Sequence, residues 1–266
     1  MEPNSSISRR DFVRSGGAVL GAASGAIPIS PGAASASDAP ATDKVPQVTL
    51  GRTGARVSKL GIGCAYFQRK KVTADDVTAT LHRALELGVN YLDTAPTYGD
   101  ENGGFAEVKM GPAMREIRDK VFLVTKTEEP TYEGTWKLLR QSMKRMNTDR
   151  LDLVHLHNFG DAELWGDRKL VFSDKGAMGA LREAKKQGVL RFIGASGHLH
   201  PTRFHEAMDS GEIDVLMNAV NFVVQHTYDF EHKVWSRARH MNLGLVAMKV
   251  LDRKSTRLNS SHTVIS

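Results

Sequence analysis

The segment GIGCAYF, residues 61–67, closes the first strand-like run of the chain's repeating part. A doubly wound nucleotide-binding sheet would turn here through three spaced glycines, and the third is missing. Helix-like and strand-like stretches alternate from this point on. Ala74–Leu87 places Val77, Leu81, Ala84 and Leu85 at helical spacing and stops at Gly88, a helix-ending signal. NYLDTA follows, then a helix over Met110–Ile117 and VFLVTK (121–126), then Trp136–Met146 and LDLVHLH (151–157). Three more pairs follow: Met178–Gln187 with RFIGAS (191–196), Arg203–Met208 with DVLMNAV (214–220), and Val234–Met241 with GLVAMKVL (244–251).

Strand starts at 91, 121 and 151 are 30 residues apart, the length of one strand plus a crossover helix. The strands are near-continuous apolar runs, as strands buried on both faces must be. With the phosphate turn incomplete, the pattern favours an eight-stranded (β/α)8 barrel over an open sheet. Counting from Leu60 yields seven strands, preceded by a hairpin over 48–63 that turns at Arg52-Thr53-Gly54.

Both ends differ from this body. Residues 7–14, ISRRDFVR, hold the pair Arg9-Arg10; a Gly/Ala-rich apolar run and the small-residue site Ala34-Ser35-Ala36 follow. The stretch 1–36 resembles a twin-arginine signal peptide, which implies the twin-arginine translocation machinery as partner and a periplasmic or secreted destination. The apolar run is too short and glycine-rich to span about 30 Å of hydrocarbon, so no stable membrane anchor is expected. Export of an already folded chain fits the single cysteine, Cys64. Residues 37–47, rich in Ala, Asp and Pro, read as a linker to the barrel at 48–251. The last stretch, 252–266, has no apolar period and resembles a non-native adapter-derived tail. A barrel stopping at Leu251 would lack its eighth strand and expose two edges, predicting poor solubility and an inactive chain.

The net charge is +6; the leader carries +1 of it and the tail +2, leaving +3 spread over the body. No basic run interleaves with aromatics, so nucleic-acid binding is set aside.

Active sites of such barrels lie at the C-terminal ends of the strands. Asp93, Lys126 and His157 end three consecutive strands, and Tyr98 follows Asp93 in the loop APTYG. Singly, each reads as a cap, a solvent-reaching lysine, a core histidine and a packed loop aromatic. Together they supply a carboxylate, an ammonium, an imidazole and a phenol at one rim. His155 lies two residues before His157 on the same face, but no further ligand cluster accompanies the pair, so no metal is expected.

LGRTGARVSKLGIGC, GVNYLDTAPTYG, VFLVTK, DRLDLVHLH and RFIGASG, in this order, resemble the aldo-keto reductases over residues 48–251. The resemblance implies a barrel that binds NADPH or NADH without a Rossmann fold and reduces a small-molecule carbonyl to an alcohol. It implies Tyr98 as proton donor, Lys126 and Asp93 as its supporting ion pair, and His157 as the group orienting the carbonyl. It places Gly63, Cys64, Asp93, Ser196, Asn218 and Met248 against the cofactor, with Met217 the other reading for Asn218. Tyr66, Phe67 and Trp165 fall in its substrate loops.

The chemistry agrees with these roles. Hydride addition builds negative charge on the carbonyl oxygen, and a free phenol, with a pKa of about 10, gives its proton reluctantly near neutrality. An ammonium about 4 Å away favours phenolate by roughly 1–4 kcal/mol, and a carboxylate beside it keeps the ammonium charged. A barrel that binds cofactor as a sensor or regulatory subunit, with little turnover, is the rival function.

Overall fold

The computed structural model describes residues 44–100, 105–221, 226–250 and 261–265, with side chains in the last segment only at Thr263 and Val264. The leader and most of the linker lie outside the described residues. Seven of the apolar runs form parallel strands as their spacing predicts: β3 (Leu60–Gly63), β4 (Tyr91–Asp93), β5 (Phe122–Thr127), β6 (Leu151–Leu156), β7 (Leu190–Gly197), β8 (Val215–Ala219) and β9 (Gly244–Met248). Ahead of them β1 (Gln47–Thr49) and β2 (Arg56–Ser58) form the expected antiparallel hairpin.

Helices cross between the strands: α1 (Ala74–Glu86), α2 (Ala106–Ile117), α3 (Tyr132–Arg145), a short α4 (Arg168–Phe172), α5 (Ala177–Lys186), α6 (Arg203–Asp209) and α7 (Ser236–His240). The start of α1 is fixed by a reciprocal cap: Asp76 N–H donates to Thr73 Oγ1, and Thr73 N–H to the Asp76 carboxylate. Gly88, with φ 82°, takes the left-handed turn after it. α2 begins at Ala106, earlier than its apolar period suggests, and carries Pro112 inside.

Alternate residues of each strand enter different layers, because side chains on a strand point to opposite faces. Leu92, Leu123, Val154, Ile193, Leu216 and Leu245 meet the helices. Tyr91, Val124, Leu153, Val215, Met217 and Val246 fill the barrel interior together with Leu50 and Val57 of the hairpin, which plugs its N-terminal end. Asp93, Lys126, His157 and Ser196 share the inward parity, one step nearer the mouth.

The eighth position differs from expectation. β10 (Ser261–Ile265) runs antiparallel between β9 and β3 and closes the barrel, with Thr263 opposite Ala247 on one side and Leu60 on the other. Two unpaired edges offer rows of N–H and C=O groups, which recruit whatever strand-competent segment is within reach. HTVI is such a segment, and Val264 buries its side chain in the barrel interior. The pair of open edges expected from the sequence is therefore covered, and with it goes the physical ground for expecting aggregation. No helix among the described residues is long and apolar enough to cross a membrane.

Candidate active site

Asp93, Tyr98, Lys126 and His157 line one cavity of about 110 Å³ at the C-terminal mouth of the barrel. β4 and β5 are hydrogen-bonded neighbours, so their terminal side chains meet: Lys126 Nζ donates to Asp93 Oδ1 and Oδ2, each at 2.8 Å, and to Thr94 O at 2.6 Å. Only 2% of either charged side chain is exposed. Burial pulls the ammonium's pKa down, but Asp93 and then Tyr98 more than reverse this, and it ends above its ordinary value.

Tyr98 is held through its backbone. Its N–H donates to Ala95 O at 3.1 Å, and its carbonyl accepts from Ala106 N at 2.8 Å, pinning the loop between a turn and the start of α2. Arg145 braces the same loop from behind: Nη1 donates to Pro96 O at 3.0 Å and lies 3.5 Å from the buried Glu107 carboxylate. Lys126 Nζ stands 4.9 Å from the centre of the Tyr98 ring. Burial raises the phenol's pKa, Lys126 lowers it, and the net shift is upward. Desolvation, invisible in the sequence, outweighs the ammonium's effect on the phenol. In this state Tyr98 keeps its proton firmly, so its acidity depends on charge that develops nearby.

His157 meets Tyr98 edge to face, with ring centres 6.1 Å apart. Its backbone N–H donates to Thr127 O at 2.9 Å, and its carbonyl accepts from Trp165 Nε1 at 2.7 Å. Nδ1 lies 2.5 Å from Glu128 Oε1, in the loop just after β5. Burial lowers the imidazole's pKa more than Glu128 raises it, while the contact with His157 holds the Glu128 carboxyl below its ordinary value.

Of the expected cofactor contacts, Gly63, Asp93, Ser196 and Met248 line the cavity, joined by His198 and Lys249 from the loops after β7 and β9. Two do not. Cys64 is fully buried in the helix-facing layer, its Sγ 3.7 Å from Ile62 O, and burial pushes the thiol's pKa up. Asn218 also has helix-facing parity, and its Oδ1 accepts from buried Trp235 Nε1 at 3.0 Å; Met217 takes the inward place beside Ser196. Phe67 and Trp165 lie in the expected loops after β3 and β6, but their side chains are buried in the helix-facing layer, and Trp165 braces the His157 backbone. Tyr66 is half-buried against that layer.

His155 lies below His157 inside the barrel, where space depends on Gly194: a Cβ there would stand 2.3 Å from His155 Nδ1. Among the described residues no group of three or more His, Cys, Asp or Glu could hold a metal ion. A nicotinamide carboxamide does fit the residues present. Ser196 Oγ is buried at the cavity without a hydrogen-bond partner, which an amide could satisfy. The residues that sequence reasoning missed are Glu128, His198, Lys249 and Arg145.

The chain is similar to L-galactose dehydrogenase of Arabidopsis thaliana, 29% identical over 195 residues that cover 68% of this chain and 58% of that protein. It therefore spans under two thirds of that relative's length. Among solved structures, a putative aldo-keto reductase from Pseudomonas aeruginosa superposes with a TM-score of 0.64 at 26% identity, covering 78% of each chain. An aldo/keto reductase from Klebsiella pneumoniae, in complex with NADP and acetate, shares the fold at a TM-score of 0.61 and 22% identity, covering 76% of this chain and 66% of that one. The family model described as "Aldo/keto reductase family" matches residues 59–260. With that match over most of its length, the chain belongs to the aldo/keto reductase family.

Proposed function

We propose that this protein is a nicotinamide-dependent reductase that converts a small aldehyde, ketone or sugar-like carbonyl into the alcohol, with Tyr98 as proton donor. The observation that carries this reading is the convergence of Asp93, Tyr98, Lys126 and His157 on one cavity. A barrel of this fold holds NADP in the Klebsiella pneumoniae structure, which agrees with it.

When bound, the nicotinamide supplies hydride to the carbonyl carbon. Tyr98 then gives its hydroxyl proton to the carbonyl oxygen as negative charge builds there. The phenolate left behind is stabilised by Lys126, which Asp93 and Thr94 O hold in place. Ser196 would hold the carboxamide, while Met248 and Gly63 face the same space. NADPH is the proposed cofactor, with NADH the other member of the pair to be tried.

Titrating the protein with each cofactor by fluorescence, then following cofactor oxidation with a panel of aldehydes and sugars, tests the reading. Binding with turnover supports it. Binding without turnover would favour the sensor role, and no binding of either cofactor would refute both.

Export by the twin-arginine route belongs to the same proposal, supported by Arg9-Arg10 and the Ala34-Ser35-Ala36 site. Changing both arginines to lysine should leave the protein in the cytoplasm; an unchanged exported fraction would contradict it.

A further inference from the structure

Glu128 is in contact with the imidazole of the catalytic constellation, and the reduction mechanism above gives it no role. Its Oε1 lies 2.5 Å from His157 Nδ1 and 3.2 Å from Thr97 Oγ1, which donates to it from the loop that carries Tyr98. The approach to Nδ1 is close yet off the ideal N–H line, since Nδ1 is buried without a well-aligned hydrogen bond. The distance is what matters here: a carboxylate with a quarter of its side chain exposed can turn by a few degrees, whereas a charge at that range acts at any angle.

A carboxylate has no proton to give, so a neutral imidazole facing it carries its single N–H on Nδ1. The ring cannot easily exchange its two edges, because only 10% of the His157 side chain is exposed and the ring packs edge to face with Tyr98. Nδ1 is sealed from solvent while His157 lines the cavity, which leaves the Nε2 edge for the substrate. We propose that Glu128 positions His157 as the Nδ1–H tautomer, so that Nε2 meets the substrate as a hydrogen-bond acceptor and becomes a donor only after His157 takes up a second proton.

The consequence for substrate rests on the reductase reading above. A carbonyl oxygen needs a donor and an alcohol offers one. Neutral His157 therefore favours the hydroxyl form, or a hydroxyl beside the carbonyl as in a sugar, and protonated His157 favours a bare aldehyde or ketone. His157 transfers no proton in either state; Tyr98 remains the donor.

Several other groups face His157. Lys126 on β5 lowers its proton affinity and Asp93 on β4 raises it. Among the described residues, the Tyr98 ring packs on His157, and His198 and Lys249 line the same cavity, with His155 two residues back on β6. Both Asp93 and Glu128 pull toward protonation, and Glu128 is the carboxylate whose oxygen lies beside Nδ1, so the tautomer reports its role.

The test is side-chain nitrogen–proton NMR of the full chain without cofactor, with His157→Asn used to assign the resonances. Wild type should show the Nδ1–H tautomer at neutral pH. Glu128→Gln removes the charge and leaves an amide that can accept from or donate to Nδ1, so the Nδ1–H tautomer is no longer enforced, and the His157 titration midpoint should fall by about one to three pH units. Glu128→Leu should release the ring to the Nε2–H form. A wild-type protein in the Nε2–H form, or a midpoint unmoved in Glu128→Gln, would overturn the proposal. A kinetic arm separates this from the reductase reading. KM for a simple aldehyde should rise as pH passes upward through the His157 midpoint, and that rise should begin at lower pH in Glu128→Gln. The expected tautomer in a protein without turnover would leave Glu128's role standing and remove the reductase.

Discussion

Lys126→Met keeps much of the side chain's length and removes its charge. In the native site Nζ stands 2.8 Å from both Asp93 oxygens, with 2% of each side chain exposed. At that distance an effective dielectric of about 20 gives an attraction of roughly 6 kcal/mol, much of which desolvation of the two ions offsets. Removing the lysine discards the attraction but leaves the Asp93 charge buried, which costs about 3–5 kcal/mol. For a barrel of this size each kcal/mol moves Tm by about 2–4 °C, so the variant should melt roughly 6–20 °C lower. Asp93→Asn added to Lys126→Met removes the buried charge as well and should recover most of that loss. Circular-dichroism melts of the two single variants, the double variant and wild type give the cycle. A single Lys126→Met that melts within about 2 °C of wild type, or a double variant less stable than it, would refute the reasoning.

Three further outcomes follow from the same geometry. Ser196→Ala should leave the Tm of the cofactor-free protein unchanged or slightly raised, because it deletes a buried hydroxyl that has no partner there; cofactor Kd should weaken by about two- to tenfold, the worth of one hydrogen bond. Arg145→Met should cost about 1–3 kcal/mol in melts by stranding buried Glu107, and should also slow turnover, since Arg145 braces Pro96 in the Tyr98 loop. Stability should fall as pH rises above about 10. Tyr91, Tyr98 and Lys126 all have native pKa values raised above their ordinary 10.0, 10.0 and 10.5, Tyr91 by burial and then Asp93. The unfolded chain gives up these protons first, so their contribution is complete below about pH 10 and is lost on going up through the native values. Denaturant melts against pH check this, and Lys126→Met should lose stability less steeply over that range.

The strand ends were legible because two periodicities coincide: 30-residue units place the strands, and the alternation within each strand puts Asp93, Lys126 and His157 on one face. That logic weakens where both faces are apolar. In DVLMNAV nothing in the sequence says which of Met217 and Asn218 faces inward; Trp235, just ahead of α7, claims Asn218. Loop residues were harder still. Glu128 and Glu129 stand side by side after β5, and only the fold turns Glu128 to His157. The upward shift of the Tyr98 phenol is not legible in sequence, because spacing shows charge partners but not how much water the fold removes. β10 escaped notice because an edge strand is recruited by the edges it covers, and its own sequence, short and polar, carries no period.

The most direct measurement compares Tyr98→Phe with wild type in steady-state carbonyl reduction, alongside fluorescence titration of the cofactor. One hydroxyl of a residue lining the cavity is removed and the ring is kept. If Tyr98 is the proton donor, kcat should fall by about 10²–10⁴-fold while cofactor Kd stays within about twofold of wild type. Full turnover by Tyr98→Phe would contradict it.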